Sequence, residues 1–242
     1  MNDPINPIYT RKIKIASYDV DQNNQLRLSH LMQYFQQIAR ENLDMFGLTY
    51  DYLRERDIVF VLSRYSIKQF EPMLADRTYI FQTSPSMIHG PYFIRDFLVQ
   101  DEKGRTLVAA STAWVIIHYS DRRLLRPSAL PFQIPIGGRL CDFLPDKTNV
   151  REDSDFRYSV RVTNSLLDSN NHLNNCRYMD ILFDGLYENN MCVEYTEFCL
   201  NYVHEAHYDD TLDILYTSES DAVFVRVLNQ TQNNVCFTAV LR

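Results

Sequence analysis

The chain has 242 residues, with 24 Lys plus Arg against 31 Asp plus Glu and a formal net charge of −7. That acidic balance argues against nucleic acid as the main partner, because a phosphate backbone calls for a basic footprint. Hydrophobic residues make up 45%, too many for a disordered chain. With six Gly and no Gly-x-Gly or Gly-Lys-Ser/Thr, a Gly-rich phosphate loop is not expected either.

Arg11 to Tyr18 alternates apolar Ile13 and Ile15 with Lys12 and Lys14, which predicts a strand, and Asp19 to Gln25 has turn chemistry. Leu28 to Phe46 is the strongest helix signal. Leu31, Phe35, Ile38 and Asn42 form one stripe, flanked by Met32, Ala39, Leu43 and Phe46, with Ser29 as N-cap and Gly47 as stop. Strands are predicted at Ile58 to Ser66, Arg77 to Thr83, Tyr92 to Gln100 and Leu107 to Tyr119, with Asp101-Glu102-Lys103-Gly104 turning between the last two. Pro127, Pro131, Pro135 and Pro145 with Gly137-Gly138 then mark a linker. The expected layout is therefore a first domain over 1–125, a linker over 126–149 and a second domain over 150–242. In the second domain Arg157 to Val162 reads as a strand, Leu167 to Leu173 as a turn and Asn175 to Tyr187 as a helix. Strands follow at Glu197 to Tyr202, Thr211 to Ser218, Val223 to Asn229 and Asn234 to Leu241.

No apolar run of about 18 residues is present, so no membrane-spanning helix is expected. Met1-Asn2-Asp3-Pro4 lacks the basic-then-apolar profile of a signal peptide. Five cysteines (Cys141, Cys176, Cys192, Cys199, Cys236) without a Cys-x-x-Cys pair imply reduced thiols and a cytoplasmic location.

The two domains repeat one grammar. Asp21-Gln22-Asn23-Asn24-Gln25-Leu26 matches Asp168-Ser169-Asn170-Asn171-His172-Leu173, 147 positions on (168 − 21). Glu71 and Asp76 are aligned with Glu205 and Asp210, 134 positions on (205 − 71), and Phe93-Ile94-Arg95 with Phe224-Val225-Arg226. Strand, loop, helix and antiparallel strands, twice over, predict two α+β units, each a helix wrapped by a sheet.

The copies differ where the second has His172 and the first Gln25. Imidazole exchanges a proton near neutral pH and an amide does not, so a single acid–base centre belongs in the second unit. Asp168, Asn170 and His172 alternate, so extended backbone would aim all three one way. The helix start after them, near Asn174 and Asn175, offers N–H groups for an oxyanion. Glu205, placed on the strand after the helix, supplies a second carboxylate. This set suits hydrolysis of an activated acyl group. The same residues also suit a plain turn, with Asn175 as an N-cap and His172 as a surface residue. No metal is expected. His204-Glu205-Ala206-His207 departs from the His-Glu-x-x-His zinc motif, and on a strand its histidines would face opposite ways. Cys176 at the helix start is either a reactive thiol or a buried structural one.

Asp168-x-Asn170-x-His172-Leu173-Asn174-Asn175-x-x-Tyr178 resembles the D-x-N-x-H-V-N-N-x-x-Y signature of acyl-acyl carrier protein (acyl-ACP) thioesterases, the plant-type and bacterial fatty acyl-ACP hydrolases. Ala110 to Ile117 with Trp114-Val115, then Arg122-Arg123-Leu124, is similar to the family's Trp strand and Arg-Arg-Leu turn. The Tyr18-Asp19-Val20-Asp21 stretch and its long helix also match, so the resemblance covers nearly the whole chain. It implies a tandem double hot-dog fold and hydrolysis of fatty acyl-ACP to free fatty acid and ACP, without a cofactor. It also implies Asp168, Asn170, His172 and Glu205 as the catalytic set. Plant members carry Cys after that Glu; here the residue is Ala206, so a Cys nucleophile at that place is excluded.

The resemblance gives the acyl chain to the first unit, with Met32, Phe35 and Ile38 as candidate walls or ordinary core. ACP is the expected partner. Arg122, Arg123, Arg126 and Arg139 form the densest basic group for docking it, or else a solvated linker. The alternatives are an acyl-CoA thioesterase, a dehydratase on the same fold, and a non-catalytic acyl-binding module. A monomer and a dimer of tandem units both fit.

Overall fold

The computed structural model describes residues 6–149, 151–191, 194–219 and 221–242. Met1 to Pro4 and Cys192, used above, lie outside them. Contacts divide the chain into two compact units. The first comprises the chain to Arg27 and Leu31–Pro145, and the second Leu28–His30 and Asp146–Arg242.

In the first unit, β1 (Tyr9–Lys14), β2 (Ile58–Gln69), β3 (Thr78–His89), β4 (Tyr92–Gln100) and β5 (Thr106–His118) form an antiparallel sheet in the order β1-β3-β4-β5-β2. The short β6 (Leu124–Leu125) pairs with β5. Helix α1 (Leu28–Met45) presents Leu31, Met32, Phe35, Ile38, Ala39 and Asn42, all buried, at helical spacing. Phe35 packs its ring 4.6 Å from Phe97 and 6.0 Å from Phe81, centroid to centroid. A one-turn helix, α2 (Tyr50–Arg54), capped by the Thr49 hydroxyl, was not foreseen from the sequence.

One expected end of α1 differs and the other holds. Arg27, not Ser29, occupies the N-cap of α1 and makes no side-chain cap. Gly47 does stop the helix: its φ is +73°, a region other side chains resist, and its N–H reaches Asp44 O at 2.9 Å. Strand β3 runs six residues past its expected end because a bulge at Pro85 absorbs the proline, beyond the last β1 pairing at Tyr9 and Thr83.

The Pro-rich segment packs on the first unit as far as Pro145. Leu130, Phe132 and Ile134 cover a cluster of Leu53, Ile58, Phe93 and Ile116. The Gly137 N–H bonds Pro85 O at 2.8 Å, and Arg139 Nε meets the buried Asp96 carboxylate at 2.6 Å.

The second unit repeats the plan. Strands β7 (Phe156–Arg161), β8 (Glu197–Tyr202), β9 (Thr211–Glu219), β10 (Ala222–Asn229) and β11 (Asn234–Leu241) are antiparallel in the order β8-β11-β10-β9-β7. Helix α3 (Arg177–Glu188) buries Tyr178, Met179, Ile181, Leu182, Gly185 and Leu186. Tyr178 stacks on Phe237 of β11 at 4.8 Å. Each unit is thus a helix wrapped by an antiparallel sheet, and the chain is a tandem of two hot-dog units. No helix among the described residues is long and apolar enough to cross a membrane.

Hydrogen bonds confirm the first repeat and correct the other two. Met73 O accepts Leu26 N–H, and Ala206 O accepts Leu173 N–H, both at 2.7 Å. Gln25 bridges Leu74, and His172 bridges His207. Asp76 N–H bonds Ile15 O, and Asp209 N–H bonds Val162 O. The counterpart of Glu205 is therefore Pro72, not Glu71, and that of Asp76 is Asp209, not Asp210. The Phe93-Ile94-Arg95 match is also out of register. Thr83 and Tyr216 hold equivalent places in β3 and β9, yet Thr83 pairs with Phe97 and Tyr216 with Val225.

Candidate active site

The turn leading into α3 is built by one carboxylate. Asp168 Oδ1 accepts the Asn170 N–H at 2.8 Å and the His172 N–H at 3.2 Å, while Asp168 N–H donates to His172 O at 2.8 Å. Asn171 sits at φ 63°, which Asn tolerates better than most residues. Asp21 builds the same turn in the first unit, accepting from Asn23 N–H and Gln25 N–H, with Asn24 also at φ 63°. This aspartate is turn chemistry in both copies. What differs is the side chain the turn presents: an amide at Gln25 and an imidazole at His172.

His172 Nε2 lies 3.2 Å from Glu205 Oε2, and the two side chains are 17% and 42% exposed. Solvent reaches the pair, yet the imidazole is partly shielded. Glu205 is not on a strand as expected. Strand β8 ends at Tyr202, and Glu205 sits in the loop to β9, held close by the Leu173 N–H bond to Ala206 O. Asn170 is exposed on the same turn.

The helix start is more committed than the sequence suggested. Cys176, not Asn175, is the N-cap of α3 and makes no side-chain cap; Asn174 closes the turn before it, its Oδ1 accepting Cys176 N–H at 2.9 Å and its carbonyl accepting Arg177 N–H at 2.9 Å. Asn175 O accepts the Tyr202 hydroxyl at 3.0 Å. Two N–H groups expected to serve an oxyanion are thereby engaged within the turn itself.

Glu205 being in a loop also removes the reason for rejecting a metal. Strand alternation does not apply there. His204 does turn aside, its Nδ1 2.8 Å from Val235 O. His207, however, joins the pair. Its ring stands edge-on to His172 at 5.0 Å, and donor atoms of His172, Glu205 and His207 lie within 4.8 Å of one another. Aligning Glu205 with Glu71 hid this residue. In the correct register Gln25, Pro72 and Leu74 stand where the second unit has His172, Glu205 and His207, and that triple substitution was the signal to find.

Met32, Phe35 and Ile38 lie in the first unit, each at most 2% exposed. Arg122, Arg123 and Arg126 are exposed around β6, whereas Arg139 is turned onto Asp96. Cys141, Cys176, Cys199 and Cys236 form no disulfide. Burial pushes the Cys176 thiol up to about 12 and the Cys236 thiol up to about 11. Both are therefore neutral thiols at pH 8, and Cys176 is structural rather than reactive. In the native protein an alkylating reagent at pH 8 should leave both unmodified, with labelling appearing only on unfolding; mass spectrometry of the labelled peptides reads this directly.

The family comparison decides what chemistry this site belongs to. The acyl-ACP thioesterase N-terminal domain matches residues 6–128 and the C-terminal domain of the same family residues 147–239. The chain belongs to the acyl-ACP thioesterase family. It is accordingly a thioester hydrolase acting on fatty acyl-ACP.

Solved structures agree on the fold. An acyl-ACP thioesterase from Bacteroides thetaiotaomicron is 20% identical with a TM-score of 0.87, over 98% of this chain and 97% of that one. The 12:0-ACP thioesterase from Umbellularia californica is 19% identical with a TM-score of 0.82, over 97% and 96%. A MaoC-like dehydratase from Phytophthora capsici is 12% identical with a TM-score of 0.56, over 75% and 68%. That fold therefore carries more than one reaction, and architecture alone does not choose among them. A comparison with the curated proteins finds no match.

Proposed function

We propose that this acyl-ACP thioesterase hydrolyses its substrate with His172 and Glu205 as the proton-transfer pair. The observation that carries this reading is the 3.2 Å contact between His172 Nε2 and Glu205 Oε2, at positions where the first unit has Gln25 and Pro72. Water attacks the thioester carbonyl carbon and gives its proton to the pair. The tetrahedral intermediate then expels the thiol sulfur, and His172 returns a proton to it. The carboxyl product and the ACP thiol account for all atoms of ester and water. Asn170 polarises the carbonyl. Asp168, whose Oδ1 accepts from the amides of Asn170 and His172, positions the turn and does not act as the base. The acyl chain lies along the α1 face bearing Met32, Phe35 and Ile38, and the free thiols of the four described cysteines suit a cytoplasmic location.

Thiol release from a chain-length panel of acyl-ACP, with matched acyl-CoA controls, tests the reading. Release from acyl-ACP supports it, and faster release from acyl-CoA would move the substrate to CoA esters. Docking is tested on the same panel. Charge reversal at Arg122, Arg123 and Arg126 together should raise KM for acyl-ACP and leave KM for acyl-CoA unchanged, since an exposed cation acts on encounter with an acidic partner. Arg139 is left out because its charge is paired with the buried Asp96.

A further inference from the structure

We propose that His172, Glu205 and His207 form a site for a late first-row divalent cation, with zinc as the fitting ion, and that occupancy blocks hydrolysis. Two imidazoles and one carboxylate are a donor set that zinc takes with a fourth position left to water. Tetrahedral donors about 2.1 Å from zinc stand roughly 3.4 Å apart. His172 Nε2 and Glu205 Oε2 already stand at 3.2 Å, and all three donor atoms fall within 4.8 Å of one another. Glu205 and His207 are exposed, so an ion has a path in.

The surroundings of His207 favour ligation. Its Nδ1 lies 3.0 Å from the Gln232 amide and 4.0 Å from Asp210 Oδ2, which leaves Nε2 to bind. Asp210 is buried, and its Oδ2 accepts from the amide N–H of His207 at 2.8 Å and from Asn229 Nδ2 at 2.7 Å. Ligation through Nε2 places the proton on Nδ1. The Asp210 carboxylate, 4.0 Å away, is the acceptor for it once the Gln232 amide, which donates to that carboxylate at 2.8 Å, moves off Nδ1. A carboxylate behind the non-ligating nitrogen is the usual support for a metal-bound histidine. His207 itself is held against His172 by the backbone bridge between them.

The inhibitory consequence rests on the proton-transfer role proposed above: a cation holding His172 and Glu205 removes the lone pairs that move protons. The binding itself does not rest on it. Untagged protein, stripped with a chelator, is titrated with zinc against a fluorescent zinc indicator, and with cobalt by visible absorption, with no turnover involved. One equivalent should bind, and cobalt should show ligand-field bands without thiolate charge transfer. His207→Gln should weaken zinc binding by at least about tenfold. Zinc should inhibit the wild type and a chelator should restore it. The inhibition curve of His207→Gln, referred to its own metal-free rate, should move by the factor seen in binding. No binding by wild type, equal binding by the variant, or thiolate bands would overturn the site whether or not the variant folds. Stoichiometric binding without inhibition would leave the site standing and overturn its blocking effect together with the proposed role of the pair.

Discussion

His172→Ala should lower kcat on acyl-ACP by about 10² to 10⁴, the usual contribution of a positioned acid–base group, or roughly 3–5 kcal/mol of barrier. Glu205→Gln should reduce it by a comparable factor, since the amide keeps the shape at 3.2 Å from His172 but takes no proton. Neither change should alter the circular dichroism spectrum, because the backbone bonds of the turn are made by Asp168 and by main-chain atoms. Asp168 separates a chemical role from a positional one. Asp168→Asn keeps an oxygen for the Asn170 and His172 amides and should retain most of the activity. Asp168→Ala opens the turn and should lose activity by misplacing His172. Asp21→Ala breaks the same turn in the first unit, so a similar fall in Tm with activity retained would isolate positioning as the cause. A folded His172→Ala enzyme with near wild-type kcat would sink the assignment.

Local pattern read most of the fold correctly, and the misses have physical causes. Strands β4, β8 and β11 have the bounds their alternation and turn residues predicted, and α1 follows its apolar stripe to within one residue. Periodicity shows where a face is buried, so Phe35 and Ile38 were readable as core. It does not show where pairing continues past a proline, so the last six residues of β3 were missed. Nor does it set register after an insertion. One residue of slip placed Glu205 opposite Glu71, which made the acidic residue look shared and concealed that His207 replaces Leu74. The Leu26 and Leu173 amide bonds and the Gln25–Leu74 and His172–His207 bridges fix that register. The helix start failed for a related reason. Asn174 and Asn175 are both good capping residues, yet the turn closed by Asn174 carries the chain past them and α3 starts at Arg177 with Cys176 as N-cap.

Gly185→Ala should destabilise the protein by about 3 kcal/mol, although Ala is the better helix former by about 1 kcal/mol. Gly185 lies inside α3 and is buried. A Cβ there would stand 2.1 Å from the Tyr216 hydroxyl, 2.9 Å from its Cζ and 2.8 Å from Tyr158 Cβ. Tyr216 is fully buried, and its hydroxyl donates to Leu182 O at 2.8 Å. The absent side chain is what lets a strand residue reach a helix carbonyl. A methyl group would overpack the site, at about 1–3 kcal/mol, and strip the buried hydroxyl of its acceptor, at about 1–3 kcal/mol more. For a protein of this size the net loss lowers Tm by roughly 5–10 °C. Tyr216→Phe removes the atom that clashes hardest, so Gly185→Ala should cost less in that background than in the wild type, a coupling a double-mutant cycle reads directly. The Cζ and Tyr158 contacts remain in the double mutant, so rescue should be partial. A rise in Tm for Gly185→Ala alone would mean that helix propensity governs this position and that Tyr216 does not approach the helix as closely as these distances require.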